Sequence, residues 1–494
     1  MVDEFVSGNI VESIEPSRIE GLLQKTRIIY IVVKFFTKDK NGSDTVRLEG
    51  ECLDGSFNLT ANSPIRRTCS LKFKATPGNL PDRNSPFWIN KKFSIDVEIK
   101  NMLKSNSSFV FPIGVYILED PSVNLTFTDN TISIKGVDRM ALYNGEISGA
   151  LLPDYLSRAI IEPTKTDKST PFNEKLFVHQ AIKKTMKLAM ENIEHIKDNF
   201  PISIIMPQIP DSDNPSNTTK DDISKYQIIP YKIDRKVGDT YYSIVKELVE
   251  MDYSAQVYFD VNGNFVFSRV PNENINLTDR VYAWDFEKYN VAQSIDREIK
   301  YSNVKNNFVI YGGITGQKKE DKELLGIQVS HNVRLTKQGG SPYAPEVLGE
   351  DFTRDLIIRE NSYVGSPTVY DLAKEMKKID SDIDALTLND FDVKNLNEIY
   401  TTPDKREKLL KTLKYAKQLC KNRANQEIYL HQNASEVIKI TCLPLYHLDV
   451  NELIFVRSDE SGILGSFVIK EISCGLASNS LMTITAHKIF NNQD

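Results

Sequence analysis

The alternation of apolar and polar residues near the N-terminus constrains the fold of this chain more than any other feature. The segment KKFSIDVEIK places Phe93, Ile95, Val97 and Ile99 between charged or polar neighbours, and TCSLKFK and NTISIKG repeat the pattern. A period of two is typical of strands that bury one face. Turn clusters such as KDKNGSD and ATPGNLPDRNSP separate these segments. The pattern predicts an antiparallel sandwich or barrel.

Helical periodicity replaces this alternation after Gly149. Val178, Ile182 and Met186 begin an apolar stripe at helical spacing, and the helix is expected to stop at Pro201. The segment IPDSDNPSNTTKDD, residues 209–222, is polar and contains proline, so it is expected to be an exposed or poorly ordered loop.

A second helix is followed at once by a hairpin. The segment GDTYYSIVKELVEMDYSAQV places apolar residues from Tyr241 to Val249 on one face, with Asp239 and Thr240 as possible caps. In YFDVNGNFVFSRVP, two apolar runs flank Asn262-Gly263. Asn-Gly predicts a hairpin turn because both residues tolerate positive φ.

The β pattern returns near the C-terminus, with a helical interruption. The segments YSNVKNNFVIYGG and IQVSHNVRL read as strands, and the end of the chain, from EVIKITC onward, reads as four or five strands. Between them, VYDLAKEMKKIDSDI and DKREKLLKTLKYAKQLCKNRANQEI show helical periodicity.

The length of 494 residues exceeds what one hydrophobic core supports, so three or four domains are expected. The predicted class is α+β multidomain, with two antiparallel β domains flanking a mixed middle. The expected segments are a β domain over 1–150, a helical segment and loop over 151–230, a helix-plus-hairpin domain over 231–299, and a β domain over 300–494 with a helical insertion at 367–430.

Charge and hydropathy exclude two classes of protein. A net charge of −6 and a pI near 5.7, with no evident basic stripe, argue against a dedicated binder of nucleic acid or anionic membranes. The longest apolar run, IIYIVV, is too short for a spanning helix, and no signal peptide is recognised at the N-terminus. We expect synthesis in a cytoplasm and no stable membrane insertion.

No pattern of residues in the sequence indicates a catalytic or metal site. Glu191 and His195 lie one helical turn apart, but two ligands without a third are weak evidence for a metal. The segment GGITGQKK lacks the Gly-Lys-Ser/Thr of a phosphate loop and reads as a hairpin loop. The six histidines form no HExxH pair, and no nucleophile motif occurs. The prediction is therefore no enzyme, no catalytic residues and no cofactor.

One acidic segment partly matches the ligand spacing of a calcium-binding loop. Asp380, Asp382 and Asp384 copy the first three ligand spacings, yet Ala385 replaces the required glycine and Phe391 the bidentate glutamate. A solvated acidic helix face is the favoured interpretation. The five scattered cysteines form no CxxC pair and read as small apolar residues.

The segments LEGECLDGSFNLTANSPIRRTCSLKFKA and ISIKGVDRMALYNGEISG, the helix and hairpin around Asn262, and YHLDVNELIFVRSDESGILGSFVIKEISCGLASNSLMTITA follow one another along the chain. These three regions resemble the phage tail hub family, whose members close the tail tube at its distal end in tailed phages and phage-derived contractile particles. The first two segments look like tube-domain strands of tail proteins from phages of low-GC Gram-positive hosts. The helix and hairpin are similar to the hub middle domain, and the last segment is similar to the last β domain of hubs.

The resemblance implies two tube-like β domains per chain, so that a homotrimer presents six similar units to a six-fold tube. It also implies a virion tail location, contacts with the tail tube or distal tail protein and with a tip or spike protein, and passage of DNA during ejection without specific binding. Two other classes stay open: a tail component that binds host carbohydrate, and a tail-associated cell-wall hydrolase.

Overall fold

The computed structural model describes most of the chain. The described residues are 15–24, 26–36, 46–49, 52–61, 63–76, 80–82, 85–89, 91–101, 107–126, 130–165, 175–193, 204–205, 229, 232–252, 255–269, 282–300, 302, 304–313, 328–338, 341, 343–349, 352–359, 379–393, 401–431, 436–477 and 479–488. The predicted loop 209–222 lies outside them.

The N-terminal region consists mostly of strands, as the alternation predicts. Its elements are α1 (Pro16–Leu22), β1 (Ile29–Phe35), β2 (Val46–Glu49), β3 (Cys52–Thr60), β4 (Arg67–Lys74), β5 (Lys92–Lys100), β6 (Ser108–Leu118), β7 (Ser122–Leu125) and β8 (Asn130–Val137). All their pairings are antiparallel, in the order β3-β4-β8-β6-β5-β1-β2, with β7 also on β8. Alternate residues of β4, including Leu71 and Phe73, are buried, which confirms the half-buried pattern.

The C-terminal strands form a second antiparallel group. Its strands are β12 (Trp284–Asp285), β13 (Ala292–Ile299), β17 (Glu436–Cys442), β18 (Leu453–Ser458), β19 (Ile463–Gly475) and β20 (Met482–Lys488), among which only β12 and β18 pair in parallel. Strand β13 departs from the expected boundary at 299, because it pairs along its length with β17 and so belongs to this group. The local sequence of β13 does not indicate that its partner strand lies more than a hundred residues away in the chain.

One long strand joins the two groups into a single sheet. The first half of β19 pairs with β18, and a bulge follows between Ile469 and Glu471. Beyond the bulge, β19 pairs with β3, with Ile472 opposite Leu59. The result is a 14-stranded sheet over one hydrophobic core that draws on both ends of the chain. The class is α+β and strand-dominated, as expected, but the two β regions share a core.

The middle region holds a second core. Its elements are a 3₁₀ helix (Arg139–Leu142), α2 (Pro153–Ala159), α3 (Val178–Ile193), β9 (Ile204–Ile205), α4 (Tyr241–Glu250), β10 (Ala255–Phe259) and β11 (Phe265–Arg269). The hydroxyl of Thr240 accepts a hydrogen bond from the Ser243 amide, which confirms it as the cap of α4. The predicted stripes of α3 and α4 face each other in this core.

The predicted hairpin forms, but its turn differs from the expected type. Only Gly263 has positive φ, at 75°, and the Gly263 amide donates to the Asp260 carbonyl. The Asp260 carboxylate also accepts hydrogen bonds from the amides of Asn262 and Asn264. The loop is therefore a three-residue turn closed by a left-handed glycine, and the Asp260 side chain selects it.

Residues 307–359 do not join the C-terminal sheet, contrary to the expected domain over 300–494. Strands β14 (Asn307–Gly313), β15 (Gln328–Arg334) and β16 (Asp355–Arg359) form a separate three-stranded sheet, accompanied by α5 (Pro345–Leu348). After the short helix α6 (Ser381–Asp384), the helix α7 (Pro403–His431) packs on this sheet and places Leu409, Leu413 and Cys420 against the strands. A sheet of three strands needs such a cover to bury its apolar face. Within the described residues, no helix has the length and hydropathy to span a membrane.

Candidate functional site

Three parts of the fold meet at a cluster of charged residues, of which three are buried and two are half-buried. We call this cluster the junction; it comprises Arg66, Arg67, Asp138, Asp449 and Glu452. Arg66 and Arg67, 5% and 2% exposed, stand at the start of β4, and Asp138 follows β8. Asp449 and Glu452 lie in the loop before β18. The β10–β11 hairpin closes over them from the middle region.

Asp138 ties the end of β8 to the start of β4 through the backbone. One carboxylate oxygen accepts from the amides of Arg66 and Arg67 at 2.7 and 2.9 Å. The other accepts from the Met140 amide at 2.8 Å and so caps the 3₁₀ helix. Burial raises the pKa of Asp138 to about 6, although these amides favour the ionised form.

Asp449 pairs with both arginines. Its Oδ1 lies 3.2 Å from Arg66 Nε, and its Oδ2 accepts from Arg67 Nη2. Burial opposes ionisation of this carboxyl, but the two guanidinium groups outweigh it and hold the pKa of Asp449 below its ordinary value. The ion pair therefore links the N-terminal strands to the C-terminal strands inside the protein.

The same arginines hold the hairpin. The Arg66 guanidinium lies 3.8 Å from the centre of the Tyr258 ring, within cation–π range. Arg67 Nε donates to the Phe259 carbonyl at 3.3 Å, and Arg139 Nη1 donates to the Gly263 carbonyl at 3.3 Å. Arg66 and Arg67 reach the hairpin from the start of β4, whereas Arg139 reaches it from the 3₁₀ helix of the middle region.

A second polar chain reaches the hairpin from the C-terminal strands. Lys470 Nζ donates to Asn451 Oδ1 at 3.1 Å, and Asn451 Nδ2 donates to Gln256 Oε1 at 2.6 Å. Asn451 adopts φ of 64°, which asparagine tolerates better than most residues. Glu452 Oε2 accepts from the Asp449 amide at 2.7 Å.

Two groups of this loop and of β19 have strongly shifted pKa values. Burial, and then repulsion from Asp449, raises the pKa of Glu452 to about 8. Burial, and then repulsion from Arg66, lowers the pKa of Lys470 to about 8. The hydrogen bonds and ion pairs described above join the N-terminal strands, the C-terminal strands and the hairpin of the middle region. They therefore fix the relative positions of these three parts of the fold.

The candidates drawn from sequence lie away from the junction. Glu191 is exposed and pairs with Arg158 at 2.8 Å, while His195 lies outside the described residues. Asp380 and Asp382 both pair with Lys421 at 2.9 Å, as a solvated acidic segment would. Among the described residues, no group of three His, Cys, Asp or Glu side chains could hold a metal.

The structure also locates part of the GGITGQKK segment, the five cysteines and the two tryptophans. Residues 314–319 of GGITGQKK lie outside the described residues, but the strands beside them pair antiparallel, as a hairpin requires. Four cysteines are buried, Cys52 is half-buried, and all five are free thiols. Trp284 is buried in the main core, whereas Trp88 is 36% exposed.

Sequence reasoning missed the junction. Its signal was present as charged residues inside otherwise strand-like segments: the Arg-Arg pair of SPIRRTC, the Asp of KGVDRM and the two acids of HLDVNEL. All three lie within the stretches that carry the resemblance to tail proteins. Spacing alone could not bring them together, because they are separated by up to 386 positions, from Arg66 to Glu452.

Comparison with known proteins returned solved structures only. No protein-family model matches the chain, and no curated protein matches it. The chain is similar to a 43 kDa tail protein of prophage MuSo2 from Shewanella oneidensis, with 11% identity, a TM-score of 0.48, and coverage of 93% of this chain and 98% of that one. It is also similar to a tail protein from Neisseria meningitidis, with 9% identity, a TM-score of 0.49, and coverage of 93% and 96%.

A third similar structure is prophage tail protein gp18 from Listeria monocytogenes, with 11% identity, a TM-score of 0.41, and coverage of 94% of this chain and 95% of that one. All three of these similar structures are tail proteins. Because each of these three TM-scores is below 0.5, the similarity by itself assigns no role to this chain.

Proposed function

We propose that this chain is a non-enzymatic structural hub at the distal end of a phage tail, acting as a trimer that joins the tail tube to the tip and lines part of the ejection channel. The observation that carries the proposal is the pairing of β19 with β3. It makes two β units of one chain a single sheet over one core. Three such chains would offer six β units to a six-fold tube.

The wall of the ring would be formed by the strands of the 14-stranded sheet. Within the described strands, β13 pairs only with β17, so one of its edges is open along eight residues. Among the strands that the structure describes, β7 pairs with β8 alone, and it exposes Val123 by 41% and Leu125 by 62%. Open edges with apolar side chains invite pairing with another chain, and a closed ring covers them.

The charge of the chain is compatible with a channel. A lumen crossed by DNA should not retain phosphate, and a chain of net charge −6 is suited to that requirement. On this proposal the helix and hairpin of the middle region form an assembly module that the junction holds against the ring-forming sheet.

Electron microscopy of the assembled particle tests the proposal. A density with three-fold symmetry at the distal end of the tube, into which the 14-stranded sheet fits as the wall, is expected. Six copies around the tube, or a location on a peripheral fibre, would show that the assignment is wrong.

Substitutions at the open edge test the interface separately. Leu125→Lys should leave the fold intact, because the side chain is 62% exposed, and should abolish ring assembly. Ile357→Lys is the matched control, because Ile357 is equally exposed, at 62%, but lies on the separate three-stranded sheet. Normal assembly of the Leu125 variant would remove the β7 edge from the interface.

A further inference from the structure

The strands on both sides of the seam between β19 and β3 carry a continuous row of small polar side chains. Ser473 of β19 lies opposite Asn58 of β3, and Thr68 of β4 follows in the same register. From Ser473 the row continues in the other direction onto β20, β17 and β13. We call its six members the polar row: Ser294, Thr441, Thr483, Ser473, Asn58 and Thr68. With a spacing of about 4.8 Å between neighbouring strands, the row spans about 24 Å.

The polar row lies on the face of the sheet that is turned away from the main core. Each of its six residues is exposed or half-buried. Residues that alternate with them along the strands point into the core and are at most 2% exposed, namely Ile440, Ile472, Ile484 and Leu59. Because successive side chains of a strand point to opposite faces, the sheet has an apolar side and a polar side that both run through the seam.

The charges beside the polar row balance one another. In the next register row on one side and the next two on the other, the charged residues are the acids Asp54, Asp296 and Glu471 and the lysines Lys72, Lys135 and Lys439. Asp54 lies directly opposite Lys72, and Asp296 lies directly opposite Lys439. The polar row itself carries no charge. This part of the surface is therefore hydrophilic without an excess of either sign.

We propose that this polar side of the sheet is the lining of the channel, and that its chemistry suits the passage of duplex DNA. The inference rests on the proposed function, in which the 14-stranded sheet forms the wall of the ring. The strands that run through the seam have the core on one side, so the polar side is the one that they can turn to the channel.

The open edges of the wall lie in the same run of strands. The order is β13-β17-β20-β19-β3-β4-β8, and β7 follows on the side of β8 away from β4. The run thus begins and ends at the two edges through which neighbouring copies would meet. Closure of the ring at these edges carries the polar side from one copy to the next.

The composition of the polar row explains how it lets DNA pass. A protein surface retains DNA when its lysines and arginines neutralise phosphates and release the condensed counterions. Uncharged Ser, Thr and Asn side chains give no such release, and their hydrogen bonds to the duplex replace hydrogen bonds to water with little net gain. The lining is therefore wetted but holds the duplex at no fixed position.

Cysteine labelling tests the position of this face. Ser473→Cys, on an exposed position of the row, and Ile357→Cys, on the separate three-stranded sheet, are compared by peptide mass spectrometry. In the free chain, a bulky polyethylene-glycol maleimide should label both sites. In the assembled particle it should still label Ile357→Cys, whereas labelling of Ser473→Cys should be lost because the reagent is too large for the channel.

A lysine in the polar row tests its chemistry. Asn58→Lys should slow DNA ejection from the particle at low salt, while Asn58→Gln, of similar size without the charge, and Ile357→Lys, with the charge away from the wall, should eject at the wild-type rate. With three copies in the ring, three lysines act on the duplex, so the delay should shorten by up to about fortyfold for a fourfold rise in salt. If Asn58→Lys does not assemble, Ser473→Lys on the neighbouring strand replaces it.

The outcomes separate this inference from the hub assignment. If electron microscopy shows the three-fold density at the tube end, but the bulky reagent labels Ser473→Cys in the particle as readily as Ile357→Cys, the polar side faces outward and the lining is assigned wrongly while the hub stands. Ejection that is unaffected by the lysine at any salt concentration would overturn the lining in the same way. Absence of the density would remove the hub assignment, and the lining with it.

Discussion

Replacement of Ile472 by alanine should loosen both β regions of the chain together. Ile472 lies just beyond the bulge in β19, opposite Leu59 of β3 on one side and Ile484 of β20 on the other. All three side chains are at most 2% exposed. The substitution therefore opens a cavity at the seam where the N-terminal and C-terminal strands join.

The expected loss of stability follows from this burial. Truncation of a buried isoleucine to alanine costs about 2 to 5 kcal/mol, depending on how far the surroundings relax. Neighbours on both strands limit relaxation here, so we expect about 3 kcal/mol. Since about 1.4 kcal/mol corresponds to a factor of ten, the opening equilibrium should shift by about a hundredfold.

The native thiols report this opening region by region. Cys69 lies in β4, Cys442 in β17 and Cys420 in α7, and all three are buried. When opening is fast relative to labelling, the labelling rate is proportional to the opening equilibrium constant. Peptide mass spectrometry distinguishes the three sites. In Ile472→Ala, labelling of Cys69 and Cys442 should accelerate by the same factor, about a hundredfold, while Cys420 changes little.

Leu413→Ala is the matched control. Leu413 is fully buried, but it lies in the small core between α7 and the three-stranded sheet. It should accelerate labelling of Cys420 and leave Cys69 and Cys442 near their wild-type rates. If Ile472→Ala accelerates Cys442 alone, the two β regions open independently and the reasoning from a shared core is wrong.

Three further substitutions test single contacts. Asp449→Asn should destabilise the fold by about 3 to 5 kcal/mol in urea unfolding at pH 7, because it removes the carboxylate that pairs with two buried arginines; a loss below 1 kcal/mol would contradict the ion-pair account. Thr240→Ala should lower the stability of α4 by about 1 kcal/mol, seen as faster hydrogen exchange in 241–250, and unchanged exchange would show that the cap contributes nothing. Gly149→Ala should be far worse than Gly238→Ala in thermal unfolding: both have positive φ, but a Cβ at Gly149 would lie 2.5 Å from the Tyr143 backbone, whereas a Cβ at Gly238 meets nothing within 4 Å. Equal losses would mean that φ alone matters.

Local signals predicted most of the elements. The alternation in KKFSIDVEIK and TCSLKFK became β5 and β4, and the stripe beginning at Val178 became α3. The cap at Thr240 and the hairpin around Gly263 also formed. These features depend on residues close in sequence, so their physics is readable from short segments.

The type of the hairpin turn could not be predicted from the local sequence. Asn262-Gly263 predicted the hairpin, yet the carboxylate of Asp260 selects a longer loop by accepting two backbone hydrogen bonds. The competing side chain was visible in the sequence. Its preference over the two-residue turn depends on hydrogen bonds that only the folded hairpin shows.

Local patterns in the sequence predict many of the strands and helices and their buried faces, because a period of two or of 3.6 reports that local property. They do not say which strands are neighbours, since every half-buried strand carries the same pattern. The folded chain shows that β19 pairs with β3, that β13 pairs with β17, and that β14, β15 and β16 form a separate sheet. The junction follows from that pairing: its charges lie far apart in sequence and become neighbours because the strands that carry them share one core.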